Sequence, residues 1–146
     1  KDKIWVMAKE EIKHYPFAGW LLSWLGFVIW VRRGKSDVGA VKSALKALKG
    51  NEKLLIFPEG TRHAEIGEGK TGAAMLAIRP GVPILPVYIT PERKLFQRTK
   101  VYIGEPYMPF TEKRRANAED YERVTEDIME HIRAIRDTRA EREAQG

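Results

Sequence analysis

The chain has no cysteine, which excludes disulfides and thiolate zinc sites. Histidine is scarce too. His14, His63 and His131 are scattered without metal-ligand spacing. Long hydrophobic runs are missing. The most apolar stretch, residues 16–31, has small polar interruptions and falls short of the ~20 residues that a spanning helix needs. No internal repeat or low-complexity segment is visible. The basic residues are dispersed and no RNA- or DNA-binding motif occurs, so nucleic acid is not an expected partner.

The 146 residues suffice for one domain and are too few for two. Apolar residues are 43% of the chain, enough for one core, and 32% of residues are charged. The formal charge of +6 attracts phosphate, whether of nucleic acid, anionic lipid or a small substrate. Charge alone does not choose among these.

Residues 4–8 read as a short buried strand. Its closeness to Lys1 leads us to expect a further N-terminal piece before it. Gly26 divides the apolar stretch into a helix, 17–25, and a strand, 27–31, which Arg32-Arg33-Gly34 ends. Ser36 is a good N-cap. Val38, Val41, Leu45 and Leu48 follow at helical spacing, and Gly50-Asn51 stops that helix. Residues 53–57 form a strand that leads into a loop reaching Lys70. A helix over 72–78 is closed by Pro80-Gly81. Residues 82–90 make an apolar strand whose Pro83 and Pro86 suit an edge or an irregular strand. Another strand covers 101–103. The last third is one amphipathic helix with Tyr121, Val124, Ile128, Ile132 and Ile135 on its apolar face. We expect a single domain over 1–137 and a fraying polar tail over 138–146. Strands alternate with helices, so the class is α/β with a mixed, largely parallel sheet flanked by helices.

Phe57-Pro58-Glu59-Gly60-Thr61-Arg62 is the most informative string. It follows a strand, and open α/β sheets place ligands at the C-terminal ends of strands. Gly60 lets backbone amides approach a ligand closely. Arg62 offers a planar fork for phosphate oxygens. Thr61 adds a hydroxyl, and Glu59 can orient a basic neighbour or a substrate hydroxyl. On physical grounds alone, a plain strand-to-loop turn with a surface Arg explains the string equally well.

The string resembles the third signature block of the glycerolipid acyltransferases, the family of bacterial 1-acylglycerol-3-phosphate acyltransferases. Other blocks occur in order. Ala8-Lys9-Glu10-Glu11-Ile12, with Pro16 and Gly19, resembles A-K-x-E-L…P…G. Gly26 followed by Val31-Arg32 resembles the second block. Gly69-Lys70-Thr71-Gly72-Ala73 resembles F-K-x-G-A, with Gly69 where Phe is usual. Val82-Pro83-Ile84-Leu85-Pro86-Val87 resembles the fourth block, and Gly104-Glu105-Pro106 the later G-x-P turn. The likeness spans about residues 4–135.

The resemblance implies a glycerol-3-phosphate acyltransferase-like fold and acyl transfer to lysophosphatidate in phospholipid synthesis. The donor would be an acyl thioester on coenzyme A or acyl carrier protein, with no bound cofactor and no metal. By position, Lys9, Arg32, Arg62 and Lys70 would be the cations for the acceptor phosphate. Glu59, Gly60 and Thr61 would shape the acceptor pocket. The family's first block, N-H-x-x-x-x-D, supplies a His base and an Asp that orients it. Here Gly19 stands five residues after His14, Glu68 after His63, and Arg136 after His131. The expected place of the block is upstream of Lys1, and the chain as given is expected to be inactive alone. A peripheral position on the cytoplasmic face of the membrane goes with such an acceptor.

Two other classes compete. Trp20 and Trp24, four apart beside Leu21, suit a membrane interface and a non-catalytic lipid-binding module. A helix packed on the sheet uses the same residues. Gly67-Glu68-Gly69-Lys70-Thr71 imitates a phosphate-binding loop of an NTP-binding enzyme. The full pattern needs Gly at position 64, where Ala64 stands.

Overall fold

The structure is a computed structural model that describes residues 3–11, 27–32, 37–59, 68–90, 99–109 and 116–144. The chain divides into two compact units, residues 1–57 and 58–146.

Unit one holds strands β1 (Ile4–Lys9), β2 (Val28–Val31) and β3 (Lys53–Leu55) with helix α1 (Val38–Lys49). The strands form a parallel sheet in the order β2-β1-β3. Ile29 is buried, with Ala40, Ala44 and Ala47 of α1. The spacing of Val38, Val41, Leu45 and Leu48 suggested a different inward face. Val38 is instead 59% exposed. The helix turns its alanines inward, because small side chains allow closer packing. The cap also differs from the expectation of Ser36. Asp37 caps α1, its carboxylate accepting from the Ala40 amide at 3.0 Å. Lys46 and Lys49 lie in the last turn, where cations oppose the helix dipole. Asn51, with φ of 59°, takes the left-handed position after the helix. β1 is less buried than its sequence suggested, with Ile4 mostly exposed.

Unit two holds helices α2 (Gly72–Ile78) and α3 (Ala118–Ala144) and the antiparallel pair β4 (Val87–Ile89) and β5 (Val101–Ile103). The apolar run over 82–90 is thus mostly irregular. Its prolines cannot donate to a ladder, and only an isolated bridge, Ile84 to Tyr107, precedes β4. Among the described residues the parallel and antiparallel pairings lie in separate sheets. Ala73, Ala74, Leu76 and Ala77 of α2 are buried, and so are Val124, Ile128 and Met129 of α3. Met129 is fully buried although the sequence pattern had not placed it on the apolar face. α3 starts with a reciprocal cap: the Asn117 amide donates to Asp120 and the Asp120 amide to Asn117, each at 2.9 Å. The helix continues to Ala144, past Thr138, where polar composition suggested fraying. The reading of 17–25 as a helix lies outside the described residues.

Candidate functional site

The parallel register determines what meets at one edge of unit one. Lys9 pairs with Val31 across β1 and β2, so the next residues, Glu10 and Arg32, stand side by side. The Arg32 Nε donates to the Glu10 carboxylate at 3.0 Å. Arg32 remains 75% exposed, so its guanidinium is open to water. The backbone amide of Arg32 donates to Asp37 at 3.2 Å. Asp37 therefore ties the end of β2 to the start of α1. The amides of Ala40 and Arg32, then the Arg32 charge and the Gly39 amide, hold the Asp37 carboxyl below its ordinary range. β3 ends at the same edge, since it runs parallel to β1, and the chain passes on to Phe57. Lys9, the last residue of β1, is half-buried there.

In unit two the loop that starts at Pro58-Glu59 is closed at its neck. The Lys70 amide donates to the Pro58 carbonyl at 2.8 Å. That amide is therefore taken, which weakens the phosphate-loop reading of Gly67-Glu68-Gly69-Lys70-Thr71. Glu59 is half-buried and Lys70 exposed. Gly60, Thr61 and Arg62 lie outside the described residues, as do His14, His63, Trp20 and Trp24. The structure thus brings Arg32 to Glu10 and Lys70 to Pro58.

Gly69 has a role that the sequence reading missed. A Cβ added there would stand 2.7 Å from Thr125 Cγ2 and 2.9 Å from Met129 Cγ. The bulky Phe that the F-K-x-G-A pattern has at this position could not fit. The signal in the sequence was the departure itself, a glycine in place of a large residue. Elsewhere in unit two the Tyr107 ring stacks on His131 with centroids 4.1 Å apart. His131 Nδ1 lies 2.8 Å from the Asp127 carbonyl. The Tyr107 hydroxyl is buried without a partner of hydrogen-bonding geometry. Burial first, and the nearby Asp127 carboxylate second, hold that phenol well above its ordinary range. Among the described residues no cluster of His, Asp and Glu could hold a metal ion. No described helix is long and apolar enough to cross a membrane.

The profile of the family described as Acyltransferase matches residues 1–90. The chain belongs to the acyltransferase family. It is 29% identical over 148 residues to a 1-acyl-sn-glycerol-3-phosphate acyltransferase of Helicobacter pylori, covering 90% of this chain and 60% of that protein. It is 36% identical over 90 residues to a lyso-ornithine lipid O-acyltransferase of Pseudomonas aeruginosa, covering 60% of this chain and 34% of that one. The first curated relatives are matched over only 24% to 60% of their length. The crystal structure of the 1-acyl-sn-glycerophosphate (LPA) acyltransferase, PlsC, from Thermotoga maritima superposes with a TM-score of 0.57 at 23% identity. The match covers 94% of this chain and 66% of that one. That likeness shows the fold, an α/β acyltransferase fold with a C-terminal helix.

Proposed function

We propose that this protein serves acyl transfer from an acyl thioester, on coenzyme A or acyl carrier protein, to the free hydroxyl of lysophosphatidate. The observation that carries the reading is the acyltransferase match over residues 1–90, a span that includes every candidate cation. Lys9 and Arg32 stand where parallel strands end, the usual place for ligands in α/β sheets. The exposed Arg32 guanidinium, already aimed by Glu10, has its two terminal nitrogens available for phosphate oxygens. Arg62 and Lys70 add cations in the loop after Phe57, and Glu59, Gly60 and Thr61 shape the acceptor pocket. The general base is the His of an H-x-x-x-x-D block, which residues 1–146 do not contain. The reading uses neither a metal nor a bound cofactor. The acceptor is a membrane lipid, so the protein acts at a membrane surface, on the cytoplasmic face.

The missing block also favours a second reading, in which residues 1–146 by themselves bind a lysolipid phosphate without chemistry. Both readings require the same phosphate ligands. Calorimetric titration with lysophosphatidate below its micellar concentration tests them. Arg62→Ala should weaken binding about tenfold or more, the scale of one charge-assisted bidentate contact. Arg62→Lys should restore only part, because the fork is lost. A variant that melts earlier yet binds lysophosphatidate as well as the parent would make Arg62 structural and remove it from the site.

A further inference from the structure

In unit one, helix α1 and strand β2 flank a groove of about 720 Å³, the size of a small-molecule site. On the helix side it runs from Asp37, the N-cap, past Gly39, Ser43 and Lys46 to Gly50, the C-cap. It is thus as long as the 12-residue helix, about 18 Å at the α-helical rise. On the strand side it is lined by Val28, Ile29 and Trp30, which are consecutive. Consecutive side chains point to opposite faces of a sheet, so the groove meets the edge of the strand. Among the described residues β2 is the outermost strand of its sheet. An edge strand offers amides and carbonyls that have no ladder partner, and a bare alkyl chain would leave them unpaired. The two ends of the groove differ. Asp37 lies at the strand-end edge that carries Lys9 and Arg32, and it accepts from the Arg32 amide at 3.2 Å. At the far end Lys46 lines the groove. The Glu52 carboxylate at that end accepts from Trp5 Nε1 and lies 3.8 Å from Lys3 Nζ.

We propose that this groove holds the phosphopantetheine arm of the acyl donor, with the thioester at the Asp37 end and the phosphate beside Lys46. The inference rests on the reading of the chain as an acyltransferase that uses an acyl thioester, and extends that reading to the donor. Phosphopantetheine is the part that coenzyme A and acyl carrier protein share. Its backbone is as long as roughly four to five peptide residues, about 14–18 Å when extended, which matches the groove. Its amides pair with the edge of β2 as an added strand would. Trp5 and the small Ala40 and Ala47 give its methylene and methyl groups an apolar floor. This orientation brings the reacting end of the donor to the edge where Arg32 stands.

Calorimetric titration of residues 1–146 with phosphopantetheine, coenzyme A and an acyl carrier protein tests the groove. The nearest atom to a Cβ added at Gly39 is Asp37 Oδ1, at 3.4 Å. Gly39→Leu therefore extends into the groove without a clash, and leucine favours a helix over glycine, so the melting temperature should hold or rise. Binding of phosphopantetheine should fall about tenfold or more. Ser43→Leu, one turn on at an exposed position and clear of the cap, should do the same. Lys46→Ala should weaken phosphopantetheine up to about fivefold at low salt and leave pantetheine, which lacks the phosphate, unchanged. Coenzyme A binding more tightly than the arm alone names a nucleotide donor. The holo carrier protein binding more tightly than the apo form, with coenzyme A no better than the arm alone, names the carrier protein. Either result upholds the groove. No binding of phosphopantetheine at about 1 mM, or binding that both leucine variants leave intact, overturns it. A dimer that both leucine variants dissociate, and that phosphopantetheine does not affect, would seat a second copy on β2 and also overturn it. If phosphopantetheine binds and the leucine variants block it while lysophosphatidate does not bind, the groove stands and the acceptor reading falls. Lysophosphatidate binding without phosphopantetheine removes the groove alone.

Discussion

At the scale of single residues, two ionisable groups carry testable consequences. Tyr107 stacks on His131 and buries a hydroxyl with no hydrogen-bond partner. Such a group costs desolvation and returns nothing, so Tyr107→Phe should leave the melting temperature unchanged or raise it at neutral pH. The phenol is also held above its ordinary range in the folded chain. The unfolded chain therefore releases this proton first. Stability does not depend on this group's titration below about pH 10 and falls as pH rises from there toward the folded value. Melting curves at alkaline pH should fall for the parent and fall less for Tyr107→Phe; parallel curves would show that Tyr107 does not titrate as the burial requires. Among the cations, Arg32 has its head aimed by Glu10 at 3.0 Å. Both members of that pair face water, so it contributes little to stability. Its consequence is direction, which an alternation of charged residues in sequence could not reveal.

At the scale of elements, caps and tight packing decide where helices begin and how they lie. Asp37 joins β2 to α1 through the amides of Arg32 and Ala40. Its folded pKa is lowered. The stability it adds is therefore complete above the ordinary carboxylate value of about 4 and disappears as pH falls through the folded value. Asp37→Asn should lower the melting temperature at neutral pH and narrow its difference from the parent in acid, as thermal melts from about pH 2 to about pH 6 would show. Gly104 makes the second close approach. A Cβ there would stand 2.8 Å from Ile135 Cδ1 and 3.0 Å from Pro86 Cγ. Gly104→Ala should cost about 1–3 kcal/mol of stability as overpacking. Ile135→Val removes the struck methyl, and by itself costs about 0.5–1.5 kcal/mol. Urea denaturation of both single variants and the double should show the double to be more stable than their sum predicts. Strict additivity would mean that Gly104 and Ile135 do not meet.

At the scale of the whole molecule, residues 1–146 hold candidate ligands for a phosphate but no His with an Asp five residues later. A general base contributes about 100-fold or more to such a transfer. Mass-spectrometric assay of phosphatidate from lysophosphatidate and acyl-coenzyme A should therefore find no product above background with residues 1–146 alone. Turnover like that of a full-length relative would require a base within these residues, and His63 would be the first to test. Much of this molecule was legible in its sequence. Alternating strand and helix runs placed β1, β2, α1, β3, α2 and β5 near their observed bounds, because each run carries its period and its stop signal locally. The string Phe57-Pro58-Glu59-Gly60-Thr61-Arg62, together with the other blocks in order, pointed to the family, because such motifs are written in contiguous residues. The alanine face of α1, the burial of Met129 and the shortness of β4 were not legible. Each depends on how closely a neighbour approaches, and hydrophobic spacing does not encode that distance. The same holds for the pairs that matter most at the candidate site. Glu10 meets Arg32 only because Lys9 and Val31 are in register, and Gly69 meets Thr125 and Met129 only because α3 folds back onto the loop neck. Sequence determined which groups this chain carries and in what order; contacts between residues distant along it exist only once the strands and helices have packed.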